Sequence, residues 1–481
     1  MILEGRENMG GTWDQFRYPG IRLDSDLYTM AYKFRVWKGA NQMAEGDTVL
    51  KYLLETADEY GVPANVRLKH MVKQVEWVSE KSTWTVEAEV DGEKKLFTCN
   101  FLYMCSGYFA YDEEKVDRPI FKDENVFKGD IVHPQFWPKD LNYKDKKVAI
   151  IGSGATAVTM VPAMSKRGAK VTMVQRTPTY MAVFPSVDWL PRLLSLFLPY
   201  ALVFAITRWR NYVRARVYYK LSRTSFGPWL LKKVIFFDAR RFMSQETIDA
   251  HFTPPYNPWD QRVCIIPDGD LFQTVGSGEA NVVTGHIERF TENGIVMKDG
   301  ANVDADIIVT ATGLQMVMLS DIKVVVDKKE IRWGDTYSYK GSMFSGVPNM
   351  AQAFGHLNIS WGCKTDMVSQ YVCRLLNRMD DLGVTTATPT LTAEDMKVDA
   401  RPYIDSFSST YIQKRIHLFP KQLGGFWRNT QNFEEDQRML ITLPVDDPTL
   451  VFSKPANSAN GAKATLNGSS KNGYDADKKT L

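Results

Sequence analysis

The fold is decided by Lys147-Val148-Ala149-Ile150-Ile151-Gly152-Ser153-Gly154-Ala155-Thr156-Ala157. The first five residues predict a short buried strand, and the glycine-rich turn of the form GxGxxA leads into a helix that runs to about Arg167. A second strand is predicted at 170–174. Together these segments form a βαβ unit, which indicates an α/β protein with a parallel sheet.

The glycine-rich turn is typical of a Rossmann-type dinucleotide site. In such a turn Gly152 permits the sharp bend, Gly154 lets the backbone approach a pyrophosphate, and Ala157 keeps helix and strand close. The residues that we expect to bind the dinucleotide here are Gly152, Ser153, Gly154, Ala155, Thr156 and Ala157. The alternative is a βα turn with a purely structural role.

The end of the second strand indicates which dinucleotide binds. An acidic residue at this place would bond the ribose hydroxyl of NAD, but the sequence has Gln175 and Arg176. Arg176 offers a guanidinium to a 2′-phosphate, and no carboxylate is present to repel that group. We therefore expect NADP, bound in part by these two residues.

The start of the chain resembles a second nucleotide site. Glu4 ends a predicted strand and suits the ribose hydroxyls of an adenosine without a 2′-phosphate, as in FAD. Such an acid lies about 20 residues after a glycine-rich loop, so we expect a strand, a loop and a helix of roughly 30 residues to precede it. The segments 10–13 (GGTW) and 17–20 (RYPG) suit close approach to a flat ring, or else a rigid loop packed on aromatic side chains.

A longer motif precedes the βαβ unit. Its defined positions match FxGxxxHxxxWP throughout, and they are Phe127, Gly129, His133, Trp137 and Pro138. With the two nucleotide sites, this motif resembles the fingerprint of the class B flavin-dependent monooxygenases. The likeness is to the Baeyer–Villiger branch and its ethionamide-activating type, because the N- and S-oxygenating enzymes usually have another aromatic residue at the Trp137 position.

The resemblance covers residues 1 to about 452 and implies an organisation. It implies two Rossmann-like dinucleotide-binding domains, one for FAD and one for NADP. We expect residues 1–140 to form the first part of the FAD domain, 141–320 the NADP domain with a helical insertion at about 182–250, and 321–452 the second part of the FAD domain. Residues 453–481 are rich in Ser, Asn, Gly, Ala and Lys, which predicts disorder.

The resemblance also implies an activity. NADPH would reduce FAD, and the reduced flavin would use O2 to insert one oxygen atom into a small lipophilic ketone, giving an ester or lactone. Sulfides and thioamides would be oxygenated at sulfur. Two alternatives stay open at this point: an N- or S-oxygenating flavin monooxygenase, and a truncated fragment that cannot hold FAD and has no catalytic function.

Site residues follow from the same resemblance. Arg262 lies where the family has its catalytic arginine, and Asp24 matches the acid that orients it; a surface ion pair is the alternative for Arg262. Arg22 is expected to contact NADP. His133 and Trp137 resemble hinge residues between the nucleotide domains. The residues expected to bind FAD are Glu4, Gly11, Thr12, Trp13, Asp14, Gln15, Asp24 and Val72.

Residues 189–237 are unusual in composition. They contain nine basic side chains and no acidic one, mixed with Leu, Phe, Trp and Tyr, so the rest of the chain carries about −6 of a net +3. This mixture is typical of a peripheral contact with anionic lipid, or of a helical subdomain with a basic exposed face.

Composition excludes several other classes. The near balance of 59 basic and 56 acidic residues argues against nucleic-acid binding. Five scattered cysteines give neither a disulfide framework nor a metal site, and we expect a reducing, cytoplasmic location. A disulfide reductase is disfavoured because Cys99 and Cys105 lack its redox spacing. The longest apolar run, 193–206, is shorter than the roughly 20 residues of a membrane span.

Overall fold

The computed structural model describes residues 1–39, 41–113, 116, 118–405 and 408–455. The predicted disordered tail therefore lies outside the described residues from position 456 onward. Ser453, where that tail was expected to begin, ends the last strand.

The first 140 residues contain three helices and seven strands among the described positions. They are β1 (Ile2–Leu3), α1 (Thr12–Gln15), α2 (Leu27–Met30), α3 (Gly46–Glu59), β2 (Val66–Arg67), β3 (Met71–Val78), β4 (Thr83–Val90), β5 (Glu93–Cys99), β6 (Leu102–Met104) and β7 (Asp130–Val132). In α3 the buried side chains of Val49, Tyr52 and Thr56 recur at helical spacing, so this helix presents one face to the interior.

The middle of the chain contains the βαβ unit and the insertion. Its elements are β8 (Lys147–Ile151), α4 (Ala155–Lys166), β9 (Lys170–Gln175), β10 (Met181–Phe184), α5 (Trp189–Leu194), α6 (Tyr200–Ser222), α7 (Gly227–Ala239), α8 (Gln245–His251), β11 (Cys264–Pro267), α9 (Asp270–Gly276), β12 (Ala280–Thr284), β13 (Ile287–Thr291), β14 (Gly294–Met297), β15 (Asn302–Asp304) and β16 (Ile307–Thr310).

One five-stranded parallel sheet organises this middle part, in the order β12-β9-β8-β16-β7. It is covered on both faces, as parallel sheets usually are. In β8 the alternation of a strand sends Val148 and Ile150 into the core beneath α4, and Ala149 and Ile151 into a second core on the other face. The glycine-rich turn consequently lies at the carboxyl edge of a central strand.

The last part of the chain returns to pack with the first. Its helices and strands are β17 (Lys323–Val326), β18 (Lys329–Glu330), β19 (Ser338–Tyr339), β20 (Met343–Phe344), β21 (Met350–Gln352), α10 (Gly362–Leu382), β22 (Thr386–Pro389), β23 (Arg401–Pro402), α11 (Thr410–Arg415), β24 (Lys421–Gln422), α12 (Phe433–Gln437) and β25 (Leu450–Ser453).

Strand pairing joins these two parts. β17 lies parallel to β3 in a sheet of order β18-β17-β3-β4-β5, and β21 lies parallel to β6. Within the first part, β1 lies parallel to β2. Trp77 and Trp84 are fully buried in the core between the two parts, with ring centres 5.5 Å apart. β7 is the exception in the first 140 residues, because it pairs with β16 in the middle sheet. The predicted domain limits stay a prediction.

Candidate functional site

The turn between β8 and α4 has the geometry of a phosphate cradle. Gly152 has φ +138°, and a Cβ there would lie 2.2 Å from the Ala311 carbonyl oxygen, so only glycine fits. At Gly154 a Cβ would meet nothing within 4 Å, and no side chain caps the first turn of α4. The uncapped N–H groups at the N-terminus of α4 therefore face open space, which fits a pyrophosphate.

The residues after β9 complete this cradle. The Ser153 hydroxyl donates to the Thr177 carbonyl oxygen at 2.9 Å. Gln175 is buried, and its amide nitrogen donates to the His251 carbonyl (2.6 Å) and to the Thr284 hydroxyl (2.9 Å). Both N–H groups of this amide are therefore bonded within the protein. The buried Oε1 atom of Gln175 has no partner among the described residues.

Arg176 is exposed and differs from its neighbour. In the part of the chain that the structure describes, its guanidinium has neither a hydrogen bond nor an ion pair. It thus offers all its donors to a ligand beside the cradle, as a 2′-phosphate requires. Arg22, the other cation expected to contact NADP, forms an ion pair with Asp270 at the start of α9.

The segment that contains Arg22 packs directly on α4. The Tyr18 hydroxyl lies beside the side chains of Thr156 and Thr159, and burial raises the pKa of Tyr18. Because Tyr18 belongs to the RYPG segment, this contact joins the two predicted nucleotide sites.

Several of the residues expected to bind FAD lie near a second opening, beside Gly11. Glu4 is half-buried, and one of its carboxylate oxygens accepts a bond from the Arg6 backbone at 3.0 Å. The Arg6 guanidinium pairs with Asp14 at 2.8 Å and also bonds Gln15. These contacts hold the strand-end carboxylate against α1.

Open space lies beside this group. A Cβ on Gly11 would meet nothing within 4 Å, and the Thr12 hydroxyl bonds the Tyr111 hydroxyl at 3.3 Å. Trp13 packs on the core formed by α2 and α3, while Val72 is half-buried beside the bulge in β3. An accessible carboxylate at a strand end next to open backbone fits the adenosine ribose of FAD.

The long motif consists of β7 and the residues on either side of it. A Cβ on Gly129 would lie 2.0 Å from the Asp306 carbonyl oxygen, and Phe127 is buried edge-on to Phe290. The His133 ring lies beside the Gly313 backbone, and its pKa is lowered mainly by burial. Trp137 packs edge-on to Tyr143, and Pro138 is exposed. The motif thus joins β7 to the loop after β16.

Arg262 and Asp24 form an ion pair, with 2.6 Å between Nη2 and Oδ2. The carboxylate raises the pKa of Arg262, so the guanidinium stays charged. The pair is accessible, since 44% of the arginine side chain and 28% of the aspartate side chain are exposed. The Arg262 guanidinium is therefore a cation held in place by Asp24 that a ligand can reach.

Aromatic side chains enclose this pair from behind. Burial raises the pKa of Tyr108 and of Tyr411, and both hydroxyls interact electrostatically with Arg262. Tyr108 stacks on Trp361 at 5.0 Å, and burial raises the pKa of Cys264 to about 12. Tyr411 had no signal in the sequence, because only the fold brings it here.

The ion pair lines a cleft that is open to solvent on one side. The cleft lies between α6, β10, β11 and the loop at 357–360. Most of its apolar lining comes from Met43, Ala182, Phe184, Ala215, Trp259, Val263, Ile265, Leu357 and Ile359. A mostly apolar cleft with a few polar groups is the usual form of a small-molecule site.

Known proteins are similar to this chain in sequence and in fold. A family model described as flavin-binding monooxygenase-like matches residues 34–334. The chain is 42% identical over 456 residues to the FAD-containing monooxygenase EthA of Mycobacterium tuberculosis, covering 94% of this chain and 92% of that one. It is also 42% identical over 460 residues to the probable FAD-binding monooxygenase AlmA of Acinetobacter baylyi, covering 95% and 91%.

Solved structures show the same architecture. An oxidized steroid monooxygenase bound to NADP superposes with a TM-score of 0.76 at 18% identity, over 94% of each chain. The OTEMO complex with FAD and NADP gives a TM-score of 0.68 at 22% identity, over 82% of this chain and 83% of that one. The predicted α/β fold with two Rossmann-like dinucleotide domains and a helical insertion is confirmed.

Proposed function

Because the chain belongs to the flavin-binding monooxygenase-like family, we propose that it inserts one oxygen atom of O2 into small lipophilic ketones to give esters or lactones. We further propose that it oxygenates sulfides or thioamides at sulfur. The chain is an FAD-containing, NADPH-dependent monooxygenase.

The observation that carries this proposal is the Arg262–Asp24 ion pair at the cleft. When bound, FAD and NADPH would supply hydride transfer and oxygen activation. Attack on a ketone places negative charge on oxygen, and Arg262 would hold a fixed cation beside that charge. Asp24 would keep the guanidinium in one orientation and charged throughout. These two residues are the ones we assign to catalysis.

Other residues would hold the cofactors. The α4 N-terminus and Arg176 would bind NADP, with Arg22 close by, while Glu4 and the open side of Gly11 would receive the adenosine end of FAD. We assign no proton chemistry to His133. Its contact with Gly313 supports a hinge between the two openings.

The test is oxygenation by the purified, flavin-loaded protein. The flavin absorbance near ~450 nm is measured first, because a protein without it would support the non-catalytic alternative. Cyclohexanone and methyl phenyl sulfide are then supplied with NADPH under ¹⁸O2. We expect a labelled lactone and a labelled sulfoxide. A sulfoxide without any lactone would favour an N- and S-oxygenating enzyme.

We also propose that the insertion contacts a membrane surface from the cytoplasmic side. Of the 27 exposed large apolar side chains among the described residues, twelve lie within 189–237, far above the share of so short a segment. In α6 the side chains of Leu202 and Trp209 recur seven residues apart, and Phe226, just before α7, forms a stripe with Leu230 and Phe237 of that helix. An apolar stripe of this kind suits a lipid interface.

Seven of the nine basic residues fall into two groups. Four arginines bond groups within the protein, and these are Arg208, Arg210, Arg216 and Arg223. Arg192, Lys220 and Lys233 are exposed. No helix among the described residues is long and apolar enough to cross a bilayer. The contact that we propose is therefore peripheral.

Vesicle sedimentation tests this contact. Binding to vesicles of phosphatidylglycerol is expected to exceed binding to phosphatidylcholine, and to fall with salt. The double variant W209S/F237S should lose binding, whereas L96S, which replaces an exposed leucine outside the insertion, should not. Equal binding by both variants would contradict the proposed surface.

A further inference from the structure

The cleft contains a second guanidinium besides that of Arg262. Arg214 lies on α6 and shares one helix face with Asn211 and Tyr218, and all three side chains line the cleft. Its guanidinium carbon lies 4.8 Å from the centre of the Phe184 ring. Within the described ranges Arg214 has no hydrogen bond and no ion pair.

The carboxylates around Arg214 are already occupied. In Asp26, Oδ1 accepts bonds from the Thr29 backbone (2.9 Å) and from the Asn211 amide (2.8 Å), and Oδ2 accepts from the Thr29 hydroxyl (2.7 Å). Asp188 forms an ion pair with Arg210. Both carboxylates act on Arg214 only from a distance.

An unpaired guanidinium in such surroundings is unfavourable. Burial lowers the pKa of Arg214 despite the distant attraction of Asp26. A cation partly removed from water gains from a counter-charge, and a guanidinium is best satisfied by two parallel bonds to a carboxylate or phosphate. Arg262 has such a partner in Asp24. Arg214 has no such partner among the described residues, so a ligand would supply the counter-charge.

We propose that the cleft binds an organic anion, with its apolar body along the apolar lining and its anionic head paired with Arg214. The inference rests on the proposed function, because it names the substrate class of the same cleft: a lipophilic ketone or sulfide that carries a carboxylate at its far end. A phosphate of NADP has the same chemistry, and the experiment separates the two sources.

The main test is binding, which needs no turnover. Dodecanoate and dodecan-1-ol have the same apolar chain, and their affinities for the flavin-loaded protein are measured by calorimetry. We expect dodecanoate to bind roughly 10–100-fold more tightly, the usual advantage of a hydrogen-bonded charge pair. R214M should abolish this preference, and R214K should keep part of it. K220M is the matched control, since it removes an exposed charge from the same helix.

A second arm measures NADP⁺ affinity in the same proteins. R214M should leave it unchanged within about twofold, whereas R176Q should weaken it. Equal affinity of the wild-type protein for dodecanoate and dodecan-1-ol would overturn the proposal, even if ketones are oxygenated. A loss in R214M confined to NADP⁺ would also overturn it, by assigning Arg214 to the cofactor.

Two further readouts keep the outcomes distinct. Near-ultraviolet circular dichroism checks that each variant is folded. If R214M is not, the wild-type preference and its decrease with salt still decide the matter. A protein that prefers dodecanoate but oxygenates no ketone would sustain the anion site and contradict the proposed reaction.

Discussion

Two charged groups border the same cleft and differ in their access to solvent. Arg262 and Asp24 keep 44% and 28% of their side chains exposed, at a distance of 2.6 Å. His356, Lys364 and Asp436 have no exposed side-chain surface at all. The first pair can meet a ligand, whereas the second group can act only through the protein.

The buried group holds one wall of the cleft. Residues 357–360 line the cleft, and they lie between His356 and Lys364. The Oδ2 atom of Asp436 is 2.6 Å from the His356 Nε2 atom and 3.0 Å from the Lys364 Nζ atom, so a single carboxylate from α12 ties both flanks of this loop. In the proposed reaction the accessible pair acts on the ligand, whereas the buried group holds the loop of the cleft in place.

The largest effect is expected from breaking the buried group. Lys364→Met would leave Asp436 buried without its cation, which costs about 3–5 kcal/mol of unfolding free energy. Urea denaturation followed by circular dichroism measures this loss. The double variant K364M/D436N should recover part of it, because it removes both charges. A loss below about 1 kcal/mol would show that the group does not stabilise the loop.

Removing Arg262 is expected to lower activity while leaving stability nearly unchanged. In Arg262→Met we expect kcat/KM for ketone oxygenation to fall roughly 10²–10³-fold, the usual cost of losing one fixed donor to a developing oxyanion. Stability should change by no more than about 1 kcal/mol, because accessible ion pairs contribute little. Initial rates and urea curves on the same preparation decide this. A large loss of stability with unchanged kcat/KM would show that Arg262 stabilises the fold and takes no part in the reaction.

Local sequence was enough to predict the NADP-side cradle. The strand expected at 147–151 agrees with β8 residue for residue, and the helix and second strand end within one residue of α4 and β9. The turn residues are adjacent in sequence, and Gly152 is there because only glycine fits beside Ala311. Where a site is built from one continuous segment, its pattern is visible before folding.

The cleft was less accessible to sequence reasoning. Arg262 and Asp24 were paired through a family resemblance, since 238 positions separate them and no spacing rule joins them. The buried group was missed altogether, because Asp436 is 80 residues from His356 and each looks like an ordinary polar residue. Arg214 was counted only as one of nine charges, and its unpaired position depends on which neighbours already have partners.

A smaller effect is expected when the accessible pair loses only its acid. Asp24→Asn keeps a hydrogen-bonding group beside Arg262 but removes the charge that orients the guanidinium. We expect kcat to fall roughly tenfold, or about 1.4 kcal/mol, with KM for NADPH unchanged. Asp24→Glu, which restores the charge, should recover part of the rate. An Asn variant with full kcat would mean that Asp24 does not position Arg262.

The smallest effect concerns acid sensitivity and belongs to the buried group. The pKa of His356 is lowered, chiefly by burial and also by Lys364, so the folded protein holds this imidazole neutral. Below the ordinary value of about 6.5 the unfolded chain binds a proton that the folded state refuses, and unfolding free energy decreases as pH falls from there through the lowered pKa. His356→Gln keeps a donor to Asp436 and should flatten this part of the stability curve.

Because burial also lowers the pKa of His251, the matched variant His251→Gln measures the contribution of a histidine outside the group. If His356→Gln leaves the slope between pH 7 and 5 unchanged, protonation of His356 does not disrupt the wall of the cleft.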